Sequence, residues 1–242
     1  MFDLSKRAVV LTGGTGNIGP AVIRAYLEQG AHVALAVRDL AKGEAVRDQL
    51  APLAGDVAEP RVLVLDADPS DRAAMDRAVE QVLRAWGRVD VVANLVGGYA
   101  ANPAASGDLA AYRASWEQKV TTAINATAAC LVPMRARRYG RVVSVASIAA
   151  LKGEKDAAGY AMANTALVRW TESLAEEVKR DGITANCVLP RIIDTPENRA
   201  AMPKADPARW ATADEVAALL VFLSSDEASG ITGAAIPVVA RT

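Results

Sequence analysis

Residues 8–19 read Ala-Val-Val-Leu-Thr-Gly-Gly-Thr-Gly-Asn-Ile-Gly, and the expected fold follows from them. The apolar run Ala8–Leu11 predicts a buried strand, and the amphipathic stretch Ile18–Gln29 predicts a helix. Between them Gly14, Gly16 and Gly19 form a literal G-x-G-x-x-G, the spacing that binds a dinucleotide when it joins a strand to a helix. Glycine lets the backbone turn tightly and approach a pyrophosphate, whose charge meets unpaired N–H groups at the helix start. The bland alternative is a glycine turn that only packs helix on strand.

Six more apolar runs follow at Val33–Val37, Val62–Leu65, Val89–Leu95, Arg141–Val145, Ile183–Leu189 and Ala235–Val239, bounded by Gly, Asp or Pro as buried parallel strands are. Amphipathic stretches at Ala41–Leu50, Ser70–Trp86, Leu109–Arg138, Gly159–Arg180 and Ala213–Ser224 predict the intervening helices, with Ser70 and Thr212 as starting caps. This alternation predicts an α/β protein over residues 1–242: a single-domain Rossmann fold with a doubly wound, seven-stranded parallel sheet and helices on both faces. The least regular segments, Gly97–Asp108 and Pro190–Trp210, both follow strands. They belong at the carboxyl edge of the sheet, where open α/β folds bind ligands.

Composition excludes several classes. The chain carries 27 basic and 28 acidic residues and no basic cluster interleaved with aromatics, so no nucleic-acid partner is expected. Cys130 and Cys187 are far apart and His32 is the only histidine, which disfavours a disulfide framework, a metal site and a Ser-His-Asp triad. The amino terminus runs straight into a strand without a signal pattern, and no apolar stretch reaches a membrane span, so a cytoplasmic protein with no membrane partner is expected.

The second strand ends Ala36-Val37-Arg38-Asp39. An acidic residue at the tip would hold a ribose 2′-hydroxyl, whereas a guanidinium suits a 2′-phosphate, so NADP(H) is expected over NAD(H). The alternative is that Arg38 is a solvated charge paired with Asp39.

Thr12-Gly13 ahead of the glycine turn, Asp68, Asn94-Leu95-Val96-Gly97, Ser147, Tyr160 and Pro190 to Thr195 fall in the order of the short-chain dehydrogenases/reductases, and the chain resembles that family over essentially its whole length. Val96-Gly97-Gly98-Tyr99, Tyr160-Ala161-Met162-Ala163 and the run from Leu189 to Trp210 are similar to segments of dihydropteridine reductases and related bacterial reductases. The resemblance implies a homodimeric or homotetrameric NAD(P)H-dependent reductase of a small carbonyl or quinonoid-imine substrate. It places Thr12, Gly13, Gly14, Gly16, Asn17, Ile18, Gly19, Asp68, Asn94, Gly97, Pro190 and Thr195 around the cofactor, with Arg38 beside the ribose. Asn17 departs from the family's frequent glycine, and Arg191 replaces the glycine common after Pro190.

Tyr160 lies 13 residues after Ser147, the family's acid/base spacing, yet Asn164 stands four residues later where the family carries lysine. That lysine holds the nicotinamide ribose and lowers the tyrosine pKa. Asn164 keeps hydrogen-bonding capacity toward a ribose hydroxyl but brings no charge. Lys119 precedes Ser147 by 28 residues, a separation typical of the family's active-site asparagine. Two readings stand: either lysine and asparagine have exchanged positions, returning an ammonium from the neighbouring helix, or Lys119 is a solvated helix residue. Asn125 comes too late by more than a turn to be that asparagine. Lys152 and Lys155 read as surface charges before Tyr160. The catalytic candidates are therefore Tyr160, Ser147, Asn164 and Lys119. Function divides between an oxidoreductase with a modified Ser-Tyr relay and a non-redox protein on the same scaffold, either an isomerase, dehydratase or cyclase or a partner subunit.

Overall fold

The computed structural model describes residues 2–54 and 60–242; Met1 and residues 55–59 lie outside the described residues. Seven strands, β1 (Ala8–Thr12), β2 (His32–Val37), β3 (Val62–Asp66), β4 (Val91–Asn94), β5 (Gly140–Val145), β6 (Ile183–Pro190) and β7 (Ala235–Val238), form one sheet. Their order is β3-β2-β1-β4-β5-β6-β7, and every pairing is parallel. The winding reverses between β1 and β4, which opens a crevice at the carboxyl ends of those two strands.

The strands are apolar on both sides because both faces are covered. Val9, Leu11, Val33 and Leu35 face one core with Val22, Ile23 and Tyr26 of α1 (Gly19–Glu28) and Val216 and Leu220 of α8 (Ala213–Ser224). Ala8, Val10, Ala34 and Ala36 face the other, against Met75 and Val82 of α3 (Arg72–Trp86), Cys130 and Met134 of α5 (Thr122–Arg137) and Leu174 and Val178 of α6 (Ala158–Val178). Leu11, Ile23, Leu35 and Leu220 are wholly buried. Each contributes roughly 1.5–3 kcal/mol relative to an exposed position. The remaining helices are α2 (Leu40–Ala54), α4 (Leu109–Trp116) and α7 (Pro196–Ala201).

Two local expectations are corrected. The cap of α3 is Asp71, whose carboxylate accepts from Ala73 N at 2.8 Å, while Ser70 bonds back to Asp68. The stretch 109–138 is not one α-helix: α4 and α5 are joined by a π-turn over Glu117–Thr121. Thr212 does cap α8, and with Glu215 it forms a reciprocal capping box. Among the described residues no helix is long and apolar enough to cross a membrane.

Thr212→Ala removes one half of that box and should lower stability by about 1 kcal/mol. A urea titration that returns an unchanged midpoint and slope would show the box to be ornamental.

Candidate active site

The glycine turn lies at the crevice. Gly16 N donates to Gly13 O at 3.1 Å and Gly19 N to Gly16 O at 3.0 Å, winding the chain into α1. No side chain caps that helix, and Thr15, Gly16 and Asn17 of the turn before it are exposed. Gly19 is required by contact: a Cβ there would stand 2.0 Å from Gly14 O. Asn17 serves elsewhere, since its amide donates to Glu197 Oε2 at 2.7 Å and ties the turn to α7. At the tip of β2, Arg38 is exposed and has no ion pair among the described residues. Asp39 is not its partner: that carboxylate accepts from Lys42 N at 3.2 Å and lies 3.3 Å from the Lys42 ammonium. The alternative of an Arg38–Asp39 pair is therefore set aside.

Beyond β1 the carboxyl edge is polar. Asn94 is buried, and its amide donates to Thr127 Oγ1 at 3.0 Å and Ser144 Oγ at 3.1 Å, joining β4, α5 and β5. Asn94 Oδ1 and Thr12 Oγ1 are buried without a protein partner. Asp68 accepts from Ser70 N and Oγ and shapes the turn after β3. Pro190 closes β6, and Thr195 Oγ1 caps α7 by accepting from Asn198 N at 3.2 Å. Arg191 is exposed and, with Lys204 and Arg209, lines a cleft of about 510 Å³ beside Trp210. Asn125 turns away from the site and holds the carbonyls of Pro69 and Ser70.

Ser147 follows β5 in extended backbone, buried, its hydroxyl accepting from Ala149 N at 3.2 Å. Tyr160 sits in the first turn of α6 with its phenol largely desolvated. Burial raises its pKa above the ordinary phenol value; Ser147 acts as a hydrogen-bonding neighbour and draws it back, and the charges of Glu154 and Tyr99 push it up. Lys119 is not among the groups acting on Tyr160.

Asn164 departs from expectation. It is wholly buried, and its amide is spent on the Tyr160 carbonyl one turn back at 2.8 Å, with Oδ1 unpartnered. Its Oδ1 is a buried orphan like those of Thr12 and Asn94, but the side chain brings no charge to the site. Lys119, by contrast, is no solvated helix residue. It is 8% exposed in the π-turn, and its ammonium donates to Val145 O at 3.0 Å. Burial lowers its pKa to about 8, with Cys187 a small opposing influence. Lys152 and Lys155 are exposed.

The profile described as short chain dehydrogenase matches residues 7–206. The chain belongs to the short-chain dehydrogenase/reductase family. Among relatives, it is 31% identical to meso-2,3-butanediol dehydrogenase of Serratia marcescens, covering 98% of this chain and 94% of that one. It is 29% identical to cyclohexanol dehydrogenase of Rhodococcus sp. (strain TK6), over 98% and 96%. Among solved structures, levodione reductase superposes with a TM-score of 0.89 at 28% identity, covering 98% of this chain and 97% of that one. L-sorbose reductase of Gluconobacter frateurii, described in complex with NADPH and L-sorbose, gives 0.87 at 26% identity, over 98% and 96%.

For a short-chain dehydrogenase/reductase, two neighbours of Tyr160 were not named as site residues by the sequence. Tyr99 stands edge-on to the Tyr160 ring at 5.4 Å between centroids, and is 64% exposed. Asn102 is buried and pins the loop 97–108 to the start of α6, its N–H donating to Asp156 O and its carbonyl accepting from Ala158 N. A lone aromatic directly after Gly97-Gly98 was the available signal for the first; nothing local marks the second.

Gly19→Ala drives a methyl into the Gly14 carbonyl and should destabilise the protein by about 1–3 kcal/mol through overpacking. Thermal melting of the variant at the wild-type midpoint would show that the turn relaxes freely.

Proposed function

We propose that this protein is an NADPH-dependent reductase of a small carbonyl or quinonoid compound, with Tyr160 as proton donor and Ser147 orienting the same substrate atom. The observation that carries this reading is buried Ser147 beside half-buried Tyr160 after β5, with no ammonium acting on the phenol. The residues present fit a dinucleotide: an uncapped helix start behind a glycine turn, orphaned polar atoms on Thr12 and Asn94, and an unpaired guanidinium at Arg38. Thr12, Gly13, Gly14, Gly16, Ile18 and Gly19 would hold its phosphates, Asp68 and Asn94 would border it, and Arg38 would take a 2′-phosphate. Gly97, Pro190 and Thr195 would bound the nicotinamide end. A reduced nicotinamide, when bound, supplies hydride to an sp² carbon.

The oxygen or nitrogen on that carbon gains negative charge, which Tyr160 relieves by giving up its proton while Ser147 donates a hydrogen bond to the same atom. Because burial holds Tyr160 above the ordinary phenol value of ~10, the group is protonated at neutral pH and ready to act as an acid. The reverse oxidation needs the phenolate, which is scarce there. Tyr160 is thus in its working form for reduction at neutral pH. The relatives named as dehydrogenases and reductases and the NADPH described with L-sorbose reductase support this reading. One observation favours the non-redox alternative: uncharged Asn164 stands where the family carries lysine, and its amide is bonded to the Tyr160 carbonyl.

Fluorescence titration should give tighter binding of NADPH than NADH, with Arg38→Ala removing most of the preference. Stronger binding of NADH sinks the Arg38 assignment, and no binding of either moves the protein to the non-redox class. Tyr160→Phe should reduce turnover by about 10² or more. Between pH 6 and 7.5 reduction should be nearly flat, whereas alcohol oxidation should rise about tenfold per pH unit with the phenolate fraction. Equal pH dependence in both directions argues against Tyr160 as the titrating group.

A further inference from the structure

The least expected group in the site is the Lys119 ammonium. An ammonium taken out of water is strongly disfavoured unless it is paired and hydrogen-bonded. Here one N–H reaches Val145 O, and no carboxylate lies within ion-pair distance among the described residues. The other two N–H groups have no hydrogen-bond partner among the described residues.

Its neighbours indicate the task. Gly97 has φ +157, and a Cβ built on it would stand 2.1 Å from Lys119 Nζ and 2.6 Å from its Cε. The missing side chain is therefore the space into which the ammonium rises, and Gly97 itself is exposed at the crevice. Val145, on the other side, is two residues before Ser147. The π-turn makes this placement possible, since the inserted residue lets the helix swing Lys119 inward against α6.

We propose that Lys119 is a positioning residue whose buried ammonium puts positive charge beneath Gly97 and fixes the Val145–Ser147 turn, acting on the reaction through these two segments and not through Tyr160. This rests on the reductase reading. The family's cation would then have moved from the helix bearing the tyrosine to the floor of the pocket, where it favours the negative charge that develops on the atom held by Ser147.

The pH dependence carries a definite sign. The lysine is lowered from 10.5 to about 8 by burial, so the unfolded chain holds the proton more tightly than the folded one. The charge therefore weakens the fold throughout the range below pH 8, and the penalty is relieved as pH rises from about 8 toward 10.5. The titratable group facing it is Cys187 on β6, pushed up to about 11 by burial; the site's phenol, Tyr160, is also raised. Neither changes state near pH 8, so a loss of activity there reports Lys119.

The test compares wild type with Lys119→Met, which removes the charge, and Lys119→Gln, which keeps a donor for Val145 O. At pH 7 Lys119→Met should melt at least about 2 °C higher than wild type, with the gap closing toward pH 10. In both variants NADPH-dependent turnover of a quinone or simple ketone should fall at least tenfold, and the alkaline inflection near pH 8 should vanish. Gly97→Ala, which displaces the ammonium without removing it, should lose turnover similarly. Wild-type turnover with an unchanged pH profile in either charge-free variant overturns the role, as does a lower melting point in both, which would make Lys119 a structural strut. Wild-type protein that binds neither NADPH nor NADH overturns the reductase reading itself, a result separable from the first because it is read without any variant.

Discussion

Register across the parallel ladder sets Thr12 beside Asn94, Asn94 beside Ser144 and Ser144 beside Cys187, one row of small polar side chains over four strands, at or near the carboxyl ends of β1, β4 and β5 and within β6. Neighbouring strands stand ~4.8 Å apart, so the row is a rigid rail on which the site is mounted. Asn94 bonds along it to Ser144 and upward to Thr127, and the turns carrying Gly97, Ser147 and Arg191 leave from its end. A one-residue slip in any strand would move its member of the row to the opposite covered face and put an apolar side chain in its place. The chemistry therefore inherits its geometry from backbone hydrogen bonds far from any reacting atom.

Burial acts on Tyr160 and Lys119 in opposite senses on the pKa scale, and for the same reason: it disfavours whichever form is charged. The phenol is held as an acid, while the ammonium is brought close to losing its proton. A site with lysine beside the tyrosine would couple these groups. Separating them leaves a phenol that is hard to ionise and an ammonium that is easy to neutralise.

Much of this was readable from residues alone. The strand runs needed only their β-branched content and bounding breakers, and all seven appear within a few residues of expectation, because a doubly covered parallel sheet leaves no polar alternation to confuse the reading. Interactions that depend on side-chain direction were harder. Asp39 adjoins Arg38 in sequence, yet it pairs with Lys42 because a helix starts at Leu40 and brings its first turn round to it. Asn164 was expected to keep a hydrogen bond for a ribose hydroxyl, but its short amide in α6 turns to the backbone one turn back. Lys119 was left between two readings because a π-turn has no compositional mark, and 109–138 reads as one uninterrupted helix. Asn102 was invisible since its contacts are with the backbone of a distant loop.

The π-turn at Glu117–Thr121 also acts as a phase shifter between the two helical segments that flank it. Each residue of an α-helix advances the facing direction by about 100°, so the extra residue offsets α4 from α5 by that angle. Tyr112 and Ser115 of α4 can then face Gly159 and Asn102, while Ala126 and Cys130 of α5 remain seated on the sheet. Deleting a single residue there would force a choice between the two contact surfaces, and the loop over the pocket and the core beneath it could no longer be satisfied by one continuous rod.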